Sequence, residues 1–234
     1  MSGCHHQYSA SHVSNYERCI KCGTHHSVIA KPMLYWHEPG RPSMAEQCWN
    51  VDMHLERGMS KNRFVLDRIE SERGSALEIG CAPGRLLFWL RWAARFRELK
   101  GIDYPDISQI DTFSCRACEV IECEWPEQAE LLAQCTAAIR PFDYVVSLDV
   151  FEHSFVPFEF LAKAHAIMKR GAQLFLMLPL ADELPAYHRC WNAREHVYVH
   201  SAQHMVMMLK NAGFGNLKFD RWAVGHDTIS ARKL

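Results

Sequence analysis

A strand that ends in a glycine turn and runs straight into a helix leaves few folds open to a chain, and residues 76–96 have that form. Ala76, Leu77 and Ile79 make a short apolar strand, Gly80-Cys81-Ala82-Pro83-Gly84 the turn, and Leu86, Leu87 and Leu90 the inward side of the helix that follows. Small residues in such a turn let the backbone bend sharply and come close to a ligand at the strand tip. Asp103 ends the next strand, residues 99–102, about twenty residues after Gly84. A carboxylate at that spacing can accept hydrogen bonds from a ribose diol, so the pair of strand tips points to a nucleoside-bearing ligand.

The alternation continues to the end of the chain. Residues 119–121 predict a third strand, 127–138 a helix, 142–148 the strongest strand, 157–168 a helix, and 172–178 a fifth strand. Ser201 predicts the cap and Gly213 the stop of a last helix, since a serine oxygen accepts from first-turn amides and glycine tolerates a left-handed exit. Strands near 216–221 and 224–231 complete the count. The expected architecture is α/β: a Rossmann-like, seven-stranded, mostly parallel sheet with helices on both faces. Ahead of it stand a Cys/His-rich module over residues 1–30 and a linker with a helical cap over 31–72, broken by Pro32, Pro39, Gly40 and Pro42. The main domain spans 73–234.

Composition removes several function classes. A net charge of −1, with no sustained run of Lys or Arg, argues against nucleic acid as a partner. Apolar stretches such as 174–178 fall far short of the roughly 20 residues a membrane span needs. The first residues lack the blocks of a secretory signal, so the expected compartment is the cytoplasm. There the ten cysteines read as thiols or metal ligands rather than disulfides.

The turn itself selects among nucleosides. A dinucleotide needs glycine amides around its pyrophosphate, and here the later glycines of that fingerprint are replaced or displaced. Glu78, just before the turn, would repel a phosphate but suits a cationic aminoacyl group. From Glu78, Gly80, Gly84, Asp103 and the segment 143–149, residues 75–232 resemble the class I S-adenosylmethionine (SAM) dependent methyltransferases. The stretch 147–153, Ser-Leu-Asp-Val-Phe-Glu-His, is similar to that of the ubiquinone-type O-methyltransferase branch, as are His196, Ser201 and Ala212-Gly213-Phe214. The resemblance implies cofactor contacts from Glu78, Gly80, Cys81, Gly84, Asp103, Tyr104, Leu148 and Asp149. Ala82 departs from the family's middle glycine, and residues 122–125 match its third motif poorly.

Methyl transfer from a sulfonium is an in-line displacement in which the protein positions the acceptor and, for a hydroxyl, removes its proton. His153, past the end of the strong strand, is the expected base, with Asp149 beside the reactive end. The plainer alternative is that Glu152 and His153 cap or brace the following helix. A third reading makes Asp149, Glu152 and His153, with His196, a site for a divalent metal. His196, Tyr198 and His200 fall where this family builds its acceptor wall. Tyr187, Trp191 and Tyr198 suit an aromatic or sugar-like acceptor, or equally a packed lid.

Cys19-Ile20-Lys21-Cys22-Gly23 has the spacing that wraps two thiolates around one tetrahedral zinc, and Cys4 with His25 or His26 are the expected partners. Cys115 and Cys118 share that spacing but read as buried thiols. The expected activity is methyl transfer from SAM to a hydroxyl, less readily a nitrogen or carbon, of a small metabolite or glycan unit. Two alternatives stand beside it: an RNA methyltransferase with the amino-terminal zinc module as reader, and a binding or assembly protein that keeps the fold without turnover.

Overall fold

A computed structural model describes residues 4–30, 60–69, 74–81, 84–92, 96–103, 119–122 and 141–234. The expected helix at 127–138, Tyr104, the Cys115 and Cys118 pair and most of the linker lie outside these residues.

Strands β1 (Tyr8–Ala10), β2 (Tyr16–Cys19) and β3 (His25–Ser27) come first. Then follow β4 (Ser75–Ile79), helix α1 (Arg85–Trp92), β5 (Glu98–Asp103), β6 (Glu119–Glu122), β7 (Phe142–Leu148), α2 (Pro157–Ala166) and β8 (Met168–Leu178). The chain finishes with β9 (Tyr198–Val199), α3 (Ala202–Asn211), β10 (Phe214–Ala223) and β11 (His226–Lys233). The main sheet runs β10-β11-β8-β7-β4-β5-β6. Strands β4 to β8 are parallel, and β10 and β11 form an antiparallel hairpin at one edge.

Both faces of the sheet are covered, and the strands show it. In β8, Leu174, Leu176 and Leu178 enter one core with α2 and α3, while Phe175 and Met177 enter a second with Leu86, Leu87 and Leu90 of α1. Two-sided burial explains why these strands read as unbroken apolar runs. Each buried leucine side chain contributes roughly 1.5–3 kcal/mol. Alternation along β4 puts Leu77 and Ile79 in the first core and Ala76 in the second.

Three boundaries differ from expectation. Strand β8 starts at Met168 because Ile167 O accepts from Phe142 N at 2.8 Å, which draws the end of the helical segment directly into the sheet. Strand β10 is longer than the apolar pattern indicated and β11 starts two residues later, since most of β10 is exposed or half-buried and its polar residues pair at the edge. The amino-terminal residues, expected as a small module of their own, form a sheet of order β1-β2-β3-β9. Its last strand comes from the far end of the sequence, pairing His25 with Val199 and His26 with Tyr198.

Candidate active site

Strands β4 and β5 lie in parallel register, Glu78 beside Gly101 and Ile79 beside Ile102. The turn after β4 is fastened to the tip of β5, because Gly80 N and Cys81 N both donate to Ile102 O, at 2.8 and 3.2 Å. Asp103 is the last residue of β5, so the glycine turn and the acidic tip are neighbours at the carboxyl edge of the sheet. Gly80 and Gly84 have φ of 78° and 86°, the left-handed region that glycine occupies without strain. Glu78 is buried beneath the turn. Cys81 is buried as well, its sulfur packed where a Cβ on Gly101 would lie 2.5 Å away, so only its backbone shapes the turn.

A second loop touches the first. A Cβ on Gly80 would lie 2.2 Å from Val150 Cγ2. Val150 follows Asp149, which has a left-handed φ of 56° that is uncommon outside glycine. That twist turns the chain from β7 into the short 3-10 turn Phe151–His153. The Asp149 carboxylate is gripped from two sides: Lys61 Nζ donates to Oδ2 at 2.5 Å and His226 Nδ1 meets Oδ1 at 3.0 Å. Burial alone would raise this carboxyl, but Lys61 and then His226 outweigh it and hold it well below the usual carboxylate range. Lys61 belongs to helical residues 60–66 and His226 opens β11. Neither stood out in the sequence, because nothing local to Asp149 marks them.

Glu152, His153 and His196 form the remaining cluster, with ligand-type atoms all within 4.8 Å of one another. His153 Nδ1 donates to Glu195 O at 2.9 Å, and His196 Nδ1 donates to Cys190 O at 2.7 Å. Both Nε2 atoms therefore face Glu152 Oε1, at 4.0 and 3.9 Å. Burial, then the neighbouring His196, pushes the His153 imidazole down to about 3, and burial lowers His196 as well. Burial, then the Asp149 charge, pushes Glu152 well up. Two neutral imidazole lone pairs and the Glu152 carboxyl thus converge. Such a set accepts a cation, and histidines fixed through Nδ1 to carbonyls are oriented as metal ligands usually are. Of the expected metal set, Glu152, His153 and His196 come together, whereas the Asp149 carboxylate is held by Lys61 and His226.

Two acceptor-wall residues lie elsewhere. His200 is fully buried, stacked on Tyr198 and 5.4 Å between ring centroids from Phe151, so it offers no surface to an acceptor. Tyr198 packs on His26. Both belong to the seam between the amino-terminal sheet and α3.

The amino-terminal cluster also needs correction. Cys4, Cys19 and Cys22 come together as expected, but with His6 rather than His25. His25 is turned away, its Nδ1 2.8 Å from Ser11 Oγ and its ring 4.8 Å from that of Trp191.

The seam carries a pH dependence. Burial, then the charge of neighbouring histidines, lowers His25 to about 4 and His204 to about 4, and also holds His200 well below its ordinary value. In the unfolded chain these groups titrate near ~6.5, so they bind protons there that the fold refuses. The stability they contribute is complete above that pH and is lost as the pH falls toward 4. Each contributes a slope of up to about 1.4 kcal/mol per pH unit. Thermal melts should show Tm falling through this window and His200→Gln making the fall shallower; a Tm that stays level from pH 6.5 to 4 contradicts the assignment.

Comparisons with known proteins agree with this architecture. Human N-acetylserotonin methyltransferase in complex with SAM matches with a TM-score of 0.57 at 17% identity, over 74% of this chain and 51% of that one. An O-methyltransferase family protein from Burkholderia thailandensis matches with a TM-score of 0.59 at 14% identity, over 76% and 56%. The chain thus spans about half the length of these two proteins. A SAM-dependent methyltransferase from Archaeoglobus fulgidus matches over its whole length and 78% of this chain, with a TM-score of 0.57 at 15% identity. A search of the curated proteins gives no match. A family model described as a methyltransferase domain covers residues 53–218, which include the glycine turn, Asp103, Asp149 and the Glu152, His153 and His196 cluster. The chain carries the fold of the SAM-dependent methyltransferases and belongs to the methyltransferase domain family.

Proposed function

We propose that this chain transfers a methyl group from SAM to a hydroxyl oxygen of a small metabolite or glycan unit, with a divalent cation at Glu152, His153 and His196. SAM supplies a methyl group on a sulfonium that is open to in-line displacement. A divalent cation lowers the pKa of a hydroxyl and orients it. Glu78, the Gly80 to Gly84 turn and Asp103 are the residues that would hold the cofactor, with Leu148 and Asp149 at the adjoining strand end. The buried Glu78 and the close packing at Gly80 fit an aminoacyl nucleoside better than a pyrophosphate.

The observation that carries the acceptor chemistry is the shared direction of the two histidines. Both spend their Nδ1 hydrogens on backbone carbonyls and aim Nε2 at one buried carboxylate. An imidazole lowered to about 3 is a poor base at neutral pH, so His153 serves as a ligand rather than as the proton acceptor. Asp149, kept ionised and fixed by Lys61 and His226, positions the loop that joins the cofactor turn to this cluster. The likeness of residues 147–153 to the ubiquinone-type O-methyltransferases supports an oxygen acceptor.

Calorimetry is the first test: SAM should bind and nicotinamide dinucleotides should not. Absence of SAM binding ends this reading. Metabolite and RNA pools incubated with a labelled methyl donor should then give label in small-molecule or glycan ethers, lost on chelation and restored by a divalent ion. Label confined to RNA would transfer the activity to that substrate class.

A further inference from the structure

The four ligand-type atoms of the amino-terminal cluster have the dimensions of a tetrahedral metal site. Zinc sits ~2.3 Å from sulfur and ~2.0–2.1 Å from nitrogen, so a regular tetrahedron has sulfur–sulfur edges of ~3.8 Å and sulfur–nitrogen edges of ~3.6 Å. Cys4 Sγ and Cys19 Sγ are 3.8 Å apart, and Cys22 Sγ and His6 Nδ1 are 3.6 Å apart. The cysteines are free thiols, and 3.8 Å is far beyond a disulfide bond. Gly23, with φ of 75°, donates from N to Cys19 O at 2.9 Å and closes the tight turn that brings Cys19 and Cys22 to one side.

This cluster sits on the seam. Cys22 O accepts from Ser201 Oγ, the hydroxyl that also caps α3 by accepting from His204 N. Thr24 Oγ1 bonds His204 Nδ1 at 2.7 Å, and the His6 ring meets that of His204 edge-on at 4.8 Å. Further along, Ser27 N donates to Val197 O, and Tyr16 OH donates to His196 O. The backbone of the segment that carries His196 is therefore tied to β2 and β3.

Strands of three or four residues in so small a sheet bury too little to hold themselves together, and a structural metal contributes folding free energy outright. We infer that a zinc ion bound by Cys4, His6, Cys19 and Cys22 clamps the amino-terminal sheet onto β9 and α3 and so fixes the wall segment 190–204.

The full-length protein tests it. Purified protein should contain about one zinc per chain, and exchange for Co²⁺ should give the intense thiolate-to-cobalt charge-transfer band and the visible bands of a tetrahedral site. Cys19→Ser and Cys22→Ser should abolish both, His6→Ala should weaken them, and His25→Ala should leave them intact. Protein without bound zinc, an octahedral cobalt spectrum, or loss in His25→Ala with retention in His6→Ala overturns the site. Because the cysteine variants can misfold, the clamp is read on the wild-type chain, stripped with a chelator and reloaded. Hydrogen exchange over 190–204 should rise at least tenfold on stripping and return on reloading, while β8 stays protected. Unchanged exchange over 190–204 overturns the clamp.

Discussion

Glu152→Gln should lower methyl transfer by about a hundredfold or more while leaving SAM affinity within a few-fold and raising Tm. Losing even an outer-shell partner of a metal costs tenfold to a hundredfold, and loss of a direct ligand costs at least as much. The rise in stability is the discriminating part. Glu152 is a buried acid pushed up by its surroundings, facing two imidazole lone pairs. A glutamine of the same shape can donate from its amide to one of those nitrogens and carries no charge to desolvate. Activity and stability thus move in opposite directions, as happens when a residue is kept for chemistry rather than for folding. Equal activity in Glu152→Gln, measured by single-turnover label transfer with and without divalent ion, would remove Glu152 from the reaction. A fall in Tm with unchanged divalent dependence would make it a brace.

Gly80→Ala should abolish SAM binding and destabilise the chain by about 3 kcal/mol or more. Holding a non-glycine residue in the left-handed region costs roughly 1–2 kcal/mol, and forcing a methyl into packed surroundings costs roughly 1–3 kcal/mol more. Here the added carbon would meet Val150 Cγ2 at 2.2 Å, so either the glycine turn or the Asp149 loop must move. A double variant, Gly80→Ala with Val150→Ala, separates the two contributions: the packing penalty should be relieved and the backbone penalty retained. Calorimetric titration and chemical denaturation measure both, and a singly substituted protein with unaltered SAM affinity would show that the turn is not part of the cofactor site.

The readable and unreadable parts of the site divide by how far apart in sequence the determinants lie. The turn at Gly80 and Gly84 was legible because a strand, two glycines and a helix follow one another, and Asp103 was legible because β5 is the next strand along. The cap at Ser201 was equally local, and its oxygen does accept from His204 N at 3.1 Å. The grip on Asp149 was not: Lys61 stands 88 positions before it and His226 stands 77 after it. Similarly, the choice of His6 over His25 depends on how β1 and β2 pair, with Tyr8 opposite Cys19, which brings the residues before β1 alongside the turn from Cys19 to Gly23. Strand β9 contains only two residues, too short for any periodicity to register. Its pairing partner is the only thing that makes it a strand.

That partner has a consequence for how the chain is made. Thr24 and His204, which bond across the seam, are 180 positions apart. At roughly 5–20 residues per second, a ribosome needs on the order of ten to forty seconds to span that interval. During that delay the first thirty residues emerge with their edge open and nothing to dock on, so translation itself leaves this sheet among the last parts of the molecule to close.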